Sequence, residues 1–455
     1  MKIHKNIVTT FILNNKAVLI LFLLALFVRL IYLFSFPQFP LDGSQYKDDL
    51  QYIGIAKNIL SGNGFSYDYV NPTAARAPIY PLFLAVTYFI FGYDNHNMAR
   101  ILQAIIGAVS CLLIYFIAKK LYSSSIGFYA ALLTGIYPSL IGYTGLLYSE
   151  TLAAFLLSLA ILFYLLSNKR KSFILFVITG IFSGLLILCS PKFLFLPLIF
   201  GFSICFLNKF QKGFFKYFFG LMAGAVFMLT PWTIRNFNEF GKFIPVVTGS
   251  GTTLWYSTLP EDNTEWRFDR EPLLSEFRNF AHGPQGIHKY EREDFIFSAK
   301  TNEIFARKAL NNIKNNPLLF IKLSVKRLFR QWLASNGNSL YPLRGKISDY
   351  FISKDYGLFL IKISLAILQI CIIVFGCLGI FVDFSSNKMN IFSPLFLSIF
   401  YSSIINSIFM TQPRYQIPVL GLLFIYTALG SHWVFLKLSK TRNFLRIGSL
   451  LIINK

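Results

Sequence analysis

The sequence predicts an α-helical polytopic membrane protein, and three observations carry that prediction. Apolar stretches long enough to span a hydrocarbon core of about 30 Å recur along the chain. Hydrophobic residues make up 55% of its 455 residues. Charge is also divided by loop. With the N-terminus in the cytoplasm, the loops at Lys119/Lys120, Lys169/Arg170/Lys171, Lys209/Lys212/Lys216 and Lys388, together with both termini, hold 17 basic residues and one acidic residue, Asp383. That is the sidedness expected when basic residues stay inside. A soluble fold is excluded.

Hydropathy places about ten transmembrane helices: Ala17 to Phe36, Met98 to Ala118, Ile126 to Leu147, Thr151 to Leu166, Phe173 to Cys189, Phe193 to Leu207, Phe215 to Trp232, Gly357 to Phe381, Ile391 to Met410 and Gln416 to Leu436. Ile79 to Gly92 is also apolar, but it is short and is entered through Pro78 and Pro81. Counting it as a crossing would invert the parity of every later loop, so it is expected to be re-entrant or to lie in the outer interface. Phe34 to Pro40 reads FSFPQFP, without a small-residue cleavage site, so the first apolar segment is expected to remain as a signal anchor.

The formal charge of +23, from 43 basic against 20 acidic residues, would suggest nucleic acid on a soluble domain. Here it reports topology, with some attraction to anionic headgroups, and no nucleic-acid partner is implied. The other acidic residues fall on the outer side or at its edge, among them Asp42, Asp48, Asp49, Asp68, Asp94 and Glu150. Cys111, Cys189, Cys205, Cys371 and Cys377 all lie in apolar segments, which argues against a disulfide framework or a cysteine metal site.

Three regions follow: an N-terminal transmembrane module over 1–232 with a first outer loop at 37–97, an outer domain over 233–356, and C-terminal helices and tail over 357–455. The outer domain is expected to mix strand-like FIPVV and TLWYS pieces with a helical run from Glu291 to Leu333. Within that run, Leu319, Leu323, Val325 and Trp332 set against Lys322, Lys326, Arg327 and Arg330 suit a helix lying on headgroups.

Charged groups at the ends of membrane helices carry a free-energy cost unless paired or wet, and so they mark candidate sites. Asp48 and Asp49 lead an amphipathic helix on which Tyr52, Ile55, Ala56 and Ile59 recur at helical spacing. Capping of that helix is the simpler role for either aspartate. Arg76, at the far end of the same loop, gives the acid a basic counterpart. Glu150 opens a later helix, where it either orients an acceptor or only complements the helix dipole. Lys192 in CSPKF and Arg235 in PWTIRN are candidate anion ligands, with a headgroup or helix-end contact as the alternative. Arg29 is expected to snorkel outward or pair with a carboxylate, and His432 to be a buried histidine. No HExxH, DxD or histidine cluster occurs, so the sequence implies no cofactor and lends no support to a tightly bound metal, while leaving a divalent ion open.

Read in order, DDLQYIGIAKNILSGNGF, RAPIYPLFLA, YSETLA, PWTIRNFNEFGKF, NNPLLF and PRYQIPV resemble the GT-C membrane glycosyltransferases that use polyprenyl-phosphate sugars, in the glycosyltransferase family 39-like bacterial branch related to protein O-mannosyltransferases and aminoarabinose transferases. The resemblance implies a GT-C-like fold and an essential aspartate four residues before Tyr52, which is Asp48. It also implies a basic residue before the proline pair, Arg76, although RAP interrupts the pair here, and an Arg–Tyr pair at Arg414 and Tyr415.

The implied partners are a polyprenyl-phosphate sugar donor, membrane lipids, and a glycan, lipid, cell-wall or protein acceptor at the outer face of a bacterial cytoplasmic membrane. The chemistry agrees. A lipid phosphate is already a good leaving group, so arginines that hold it and a carboxylate that accepts the acceptor's proton suffice. Asp49 and Glu150 are the other candidate carboxylates. Trp255, Tyr256 and Trp266 either stack on sugars or pack the outer domain. A transporter or flippase, usually built from related halves with broken helices, and an O-antigen ligase or polymerase, which lacks the aspartate loop, are the competing readings.

Overall fold

The computed structural model of the chain describes residues 16–36, 47–67, 71–209, 211–259, 299–333, 339–340, 343 and 346–452. Asp42, Asp68, Trp266 and residues 291–298 of the expected helical run lie outside them. Helix α1 (Lys16–Ser35) is followed by α2 (Lys47–Leu60), α3 (Ile79–Phe91), α4 (His96–Leu121), α5 (Ser124–Ile136), α6 (Pro138–Gly145), α7 (Glu150–Arg170), α8 (Phe173–Cys189), α9 (Leu196–Leu207) and α10 (Phe215–Phe240). After these come α11 (Ser250–Ser257), α12 (Ala299–Asn315), α13 (Pro317–Leu333), α14 (Ile347–Ile352), α15 (Tyr356–Ser386), α16 (Pro394–Ile408), a 3-10 turn at Pro413–Gln416, and α17 (Ile417–Ile452).

Six of these are long and apolar enough to cross a membrane: α1, α4, α7, α10, α15 and the segment Pro413–Ser439. The crossing expected at Ile126 to Leu147 is instead two helices, α5 and α6, bent by 47° across Tyr137 and Pro138, and together they pass the same test. Helices α8 and α16 and the segment Pro191–Leu207 are apolar but shorter, as is α3. At 13 residues α3 is about 20 Å long, well short of a hydrocarbon core.

Small residues set the closest helix contacts, as is usual where lipid removes most of the hydrophobic drive to associate. A Cβ on Gly180 of α8 would lie 2.0 Å from the Leu221 carbonyl of α10, and one on Gly224 would lie 2.1 Å from the Val177 carbonyl. Gly379 and Gly430 bring α15 and α17 together in the same way, with hypothetical Cβ contacts of 1.9 Å to Tyr426 O and 2.2 Å to Phe375 O. Between these pairs runs one continuous core that includes Leu157, Ile161, Phe176, Phe200, Leu420 and Phe424.

The bend between α5 and α6 explains Arg29. Pro138 has no N–H and cannot continue α5, so the last carbonyls of that helix lose their partners. Arg29 supplies them: Nη1 donates to Gly135 O at 2.7 Å and Nη2 to Thr134 O at 3.1 Å. Its side chain is 1% exposed, and it neither snorkels nor meets a carboxylate, in contrast to the sequence expectation.

The region after α10 is helical, and no β-strand occurs among the described residues. The strand-like TLWYS forms most of α11, while FIPVV is irregular. Trp255 and Tyr256 are buried with Phe305, Ala309 and Met410, so they pack this region and are not presented as sugar platforms. Helix α13 is oriented differently from the expectation. Arg327 and Gln331 are buried, whereas Leu318, Ile321, Val325 and Phe329 are exposed. Arg327 finds carbonyl partners in the protein, at Ser407 and Ser257, and the apolar stripe faces outward as on a helix lying against lipid. His432 is half-buried, not fully buried as expected.

Candidate active site

The site is assembled from chain ends that the sequence separates widely. Helix α2 supplies Asp48 in its first turn and Gln51 one turn later, on the same face. The following loop turns at Gly62 and Gly64, whose φ values of 79° and 72° lie in the left-handed region that glycine adopts freely. It is tied back by Asn58, whose amide donates to Ser66 O at 2.8 Å. The loop returns to deliver Arg76 just before α3. Glu150 begins α7, Lys192 lies in the turn before α9, and Arg414 and Tyr415 lie in the 3-10 turn before α17.

Asp48 is clasped between two guanidinium groups. Its Oδ1 accepts from Arg76 Nη2, and its Oδ2 accepts from Arg414 Nη2 at 2.5 Å. Arg76 is oriented further by Nε donating to Gln51 Oε1 at 2.5 Å. Arg414 stands over the Tyr148 ring with its guanidinium carbon 4.9 Å from the centroid, and its Nε is 3.6 Å from Glu150 Oε1. Lys192 Nζ donates to Tyr415 O at 2.8 Å and lies 5.0 Å from the Tyr415 ring centroid, which braces the turn that carries Arg414. Tyr52 packs edge-on against Tyr80, with Arg76 over its ring at 5.6 Å.

The two adjacent aspartates are driven in opposite directions. Burial opposes ionisation of Asp48, but the charges of Arg76 and Arg414 outweigh it and hold the carboxyl well below the usual carboxylate range. Burial pushes the Asp49 carboxyl up, and the negative charge on Asp48 adds to the rise; against this the Leu50 N–H, 2.8 Å from Oδ1, pulls it down, leaving a value of about 6.

Of the residues singled out from sequence, the structure thus brings together Asp48, Arg76, Arg414 and Glu150, with Asp49, Tyr52, Lys192 and Tyr415 beside them. Arg235 stands apart. It donates to Thr73 O at 2.8 Å and Phe65 O at 3.2 Å and lies over the Phe65 and Trp232 rings, so it fastens the returning loop to α10. Gln51 and Tyr148 carry site contacts that went unassigned in the sequence. Gln51 was signalled by its i+3 spacing from Asp48, and Tyr148 opens the YSETLA motif. Among the described residues no three His, Cys, Asp or Glu side chains form a group able to hold a metal ion, and both oxygens of Asp48 are taken up by guanidinium groups.

Residues 75–234 match the family model described as dolichyl-phosphate-mannose-protein mannosyltransferase, about a third of the chain. A crystal structure of the Archaeoglobus fulgidus oligosaccharyltransferase, complexed with Zn and sulfate, superposes with a TM-score of 0.53 at 16% identity over 95% of this chain and 51% of that one. The chain has the GT-C fold. A second structure of the archaeal enzyme, AglB, in complex with an inhibitory peptide and a dolichol-phosphate, gives the same TM-score at 14% identity over 96% of this chain and 52% of that one. This GT-C chain therefore spans about half the length of those neighbours. ArnT from Cupriavidus metallidurans bound to undecaprenyl phosphate matches at 14% identity over 92% of this chain and 77% of that one, with a TM-score of 0.38. No curated protein matched. Family model and fold together support a GT-C-type glycosyltransferase.

Proposed function

We propose that the chain moves a sugar from a polyprenyl-phosphate donor to a hydroxyl acceptor, with Arg76 and Arg414 holding the donor phosphate and Asp48 accepting the acceptor's proton. The observation that carries this reading is the carboxylate of Asp48 bridging two guanidinium groups drawn from opposite ends of the chain. A planar anion with two oxygens fits that cradle, and a phosphodiester presents the same pair. The dolichol-phosphate bound by the archaeal neighbour is a ligand of the same chemical class.

In the resting state the clasp makes Asp48 a poor base. Donor phosphate takes over the guanidinium contacts, and its negative charge then raises the proton affinity of the released carboxylate. The acceptor oxygen attacks the anomeric carbon, the bond from that carbon to the phosphate oxygen breaks, and its electron pair leaves with the polyprenyl phosphate. The acceptor's proton goes to Asp48. Glu150 helps to align Arg414, its Oε1 lying 3.6 Å from Arg414 Nε. Lys192 braces the turn through Tyr415 O, and the remaining N–H groups of its ammonium leave it a further phosphate ligand in this reading.

A carrier would use its broken helix to line a path through the bilayer. At the bend between α5 and α6, by contrast, Arg29 satisfies the freed carbonyls. The outer face of a bacterial cytoplasmic membrane remains the proposed setting, with a glycan, lipid, wall polymer or protein as acceptor. The test is binding and transfer with a short-chain polyprenyl-phosphate sugar, scored separately for the parent and for Arg76→Ala, Arg414→Ala and Asp48→Asn. Loss of transfer in Asp48→Asn with donor binding retained or tightened supports the reading. Undiminished transfer in that variant overturns it.

A further inference from the structure

Two residues beyond Arg414 begins a group of buried neutral amides, three of whose polar atoms neither the fold nor the phosphate cradle uses. Gln331 of α13, Gln369 of α15 and Gln416 of the 3-10 turn are all at most 1% exposed. Gln369 links the other two elements: its Nε2 donates to Trp332 O at 3.0 Å, next to Gln331, and to Gln416 Oε1 at 3.1 Å. Its Oε1 accepts from Tyr137. Neither amide atom of Gln331 has a hydrogen-bond partner in the protein, and neither does Gln416 Nε2. Turning the Gln331 amide over changes nothing, because both of its ends are unpaired. Buried polar atoms are nearly always partnered, and three orphans on two contacting elements need a reason.

The face on which Gln331 sits is fixed by Arg327, one turn earlier, whose guanidinium donates to Ser407 O at 2.7 Å and Ser257 O at 2.9 Å. That face is therefore turned to α16 and the 3-10 turn, against which α13 packs. Gln416 is two residues beyond Arg414, a displacement of about 4 Å along a 3-10 axis. The turn itself is held by Lys192 through Tyr415 O. Gln416 and the phosphate ligand Arg414 thus belong to one four-residue turn.

We propose that Gln331 and Gln416 form the subsite that recognises hydroxyl groups of the transferred sugar, with Gln369 as the positioning residue between them. The unpaired atoms comprise two N–H donor groups and one carbonyl acceptor, which matches adjacent hydroxyls, each both donor and acceptor. Neither glutamine carries a charge, and Arg327 is already committed to two carbonyls and Ser324 Oγ. The sugar favoured is accordingly neutral and hydroxyl-bearing, not carboxylated or aminated. This inference rests on the glycosyltransferase reading.

The test compares a glycosylated polyprenyl phosphate with the bare polyprenyl phosphate, using Gln331→Met and Gln416→Met in the purified full chain. The expected result is a loss of affinity for the glycosylated lipid of about tenfold to a hundredfold, the worth of one or two hydrogen bonds in a dry site, with binding of the bare lipid unchanged. A packing defect would weaken both ligands together and lower the unfolding temperature. If Gln331→Met does not fold, Gln331→Asn, which keeps the amide but withdraws it, is expected to show the same selective loss. Equal binding of both lipids by parent and variants overturns the subsite, the amides then being paired by buried water alone. Failure of the parent to bind either lipid instead overturns the glycosyltransferase reading.

Discussion

Replacing Asp48 with asparagine should move donor affinity and turnover in opposite directions. In the resting protein Asp48 engages both Arg76 and Arg414, and its side chain is 20% exposed, so the contacts are only partly screened by water. An incoming phosphate has to exchange contacts with an internal carboxylate, and much of its binding energy is offset. The Asp48→Asn side chain keeps the shape without the charge and competes weakly. Charge-assisted hydrogen bonds contribute about 1.5–3 kcal/mol each. Recovering one such contact corresponds to donor binding tighter by roughly one to two decades. Transfer should fall by about 10²–10⁴-fold, the usual worth of a positioned general base. The assay is equilibrium binding of a short-chain polyprenyl-phosphate sugar beside product formation on the same preparation, with an unfolding curve to show that the uncompensated arginines have not cost the fold. Weaker donor binding, or transfer near the parent rate, would refute the reasoning.

Arg414→Ala should weaken donor binding by about one to two decades, and Arg76→Ala by a similar amount; unchanged binding in both would remove the cradle. Asp49 is held up to about 6, so the folded chain retains its proton more tightly than the unfolded chain. Its contribution to stability is full below about pH 4 and lost as pH rises past about 6. Asp49→Asn should therefore raise the unfolding temperature more at pH 7.5 than at pH 5, and an equal shift at both would contradict that placement. Arg29→Met leaves the carbonyls of Thr134 and Gly135 unpaired in a dry interior, at about 1–3 kcal/mol each; the expected outcome is a large drop in thermal midpoint in detergent, with donor affinity unchanged in the folded fraction. Gly180→Val should likewise destabilise, since its side chain would meet the Leu221 backbone, and a midpoint equal to the parent's would show that α8 and α10 can separate.

Legibility in the sequence followed local physics. The amphipathic helix led by Asp48 was readable because helical spacing is a local property, and the structure has it. The likeness to GT-C proteins was readable for the same reason, as short pieces in a fixed order. Contacts between distant segments were not readable. Nothing in the run around Arg29 discloses that Pro138, more than 100 residues later, frees the carbonyls it binds. Helix α13 was misjudged on its polar face because Arg327 and the lysines look alike in a helical pattern, whereas Arg327 is buried and donates to the carbonyls of Ser407 and Ser257. TLWYS, rich in β-forming types, became helical once Trp255 and Tyr256 could bury against α12. Gln331 gave no signal at all, since an isolated glutamine on an amphipathic helix ordinarily faces water.

The most direct test of the central claim is a structure of the full chain with a polyprenyl phosphate bound, determined in lipid by electron microscopy. The account predicts phosphate oxygens between the guanidinium groups of Arg76 and Arg414, with the Asp48 carboxylate displaced from at least one of them. Phosphate bound elsewhere, with Asp48 still clasped by both arginines, would contradict it.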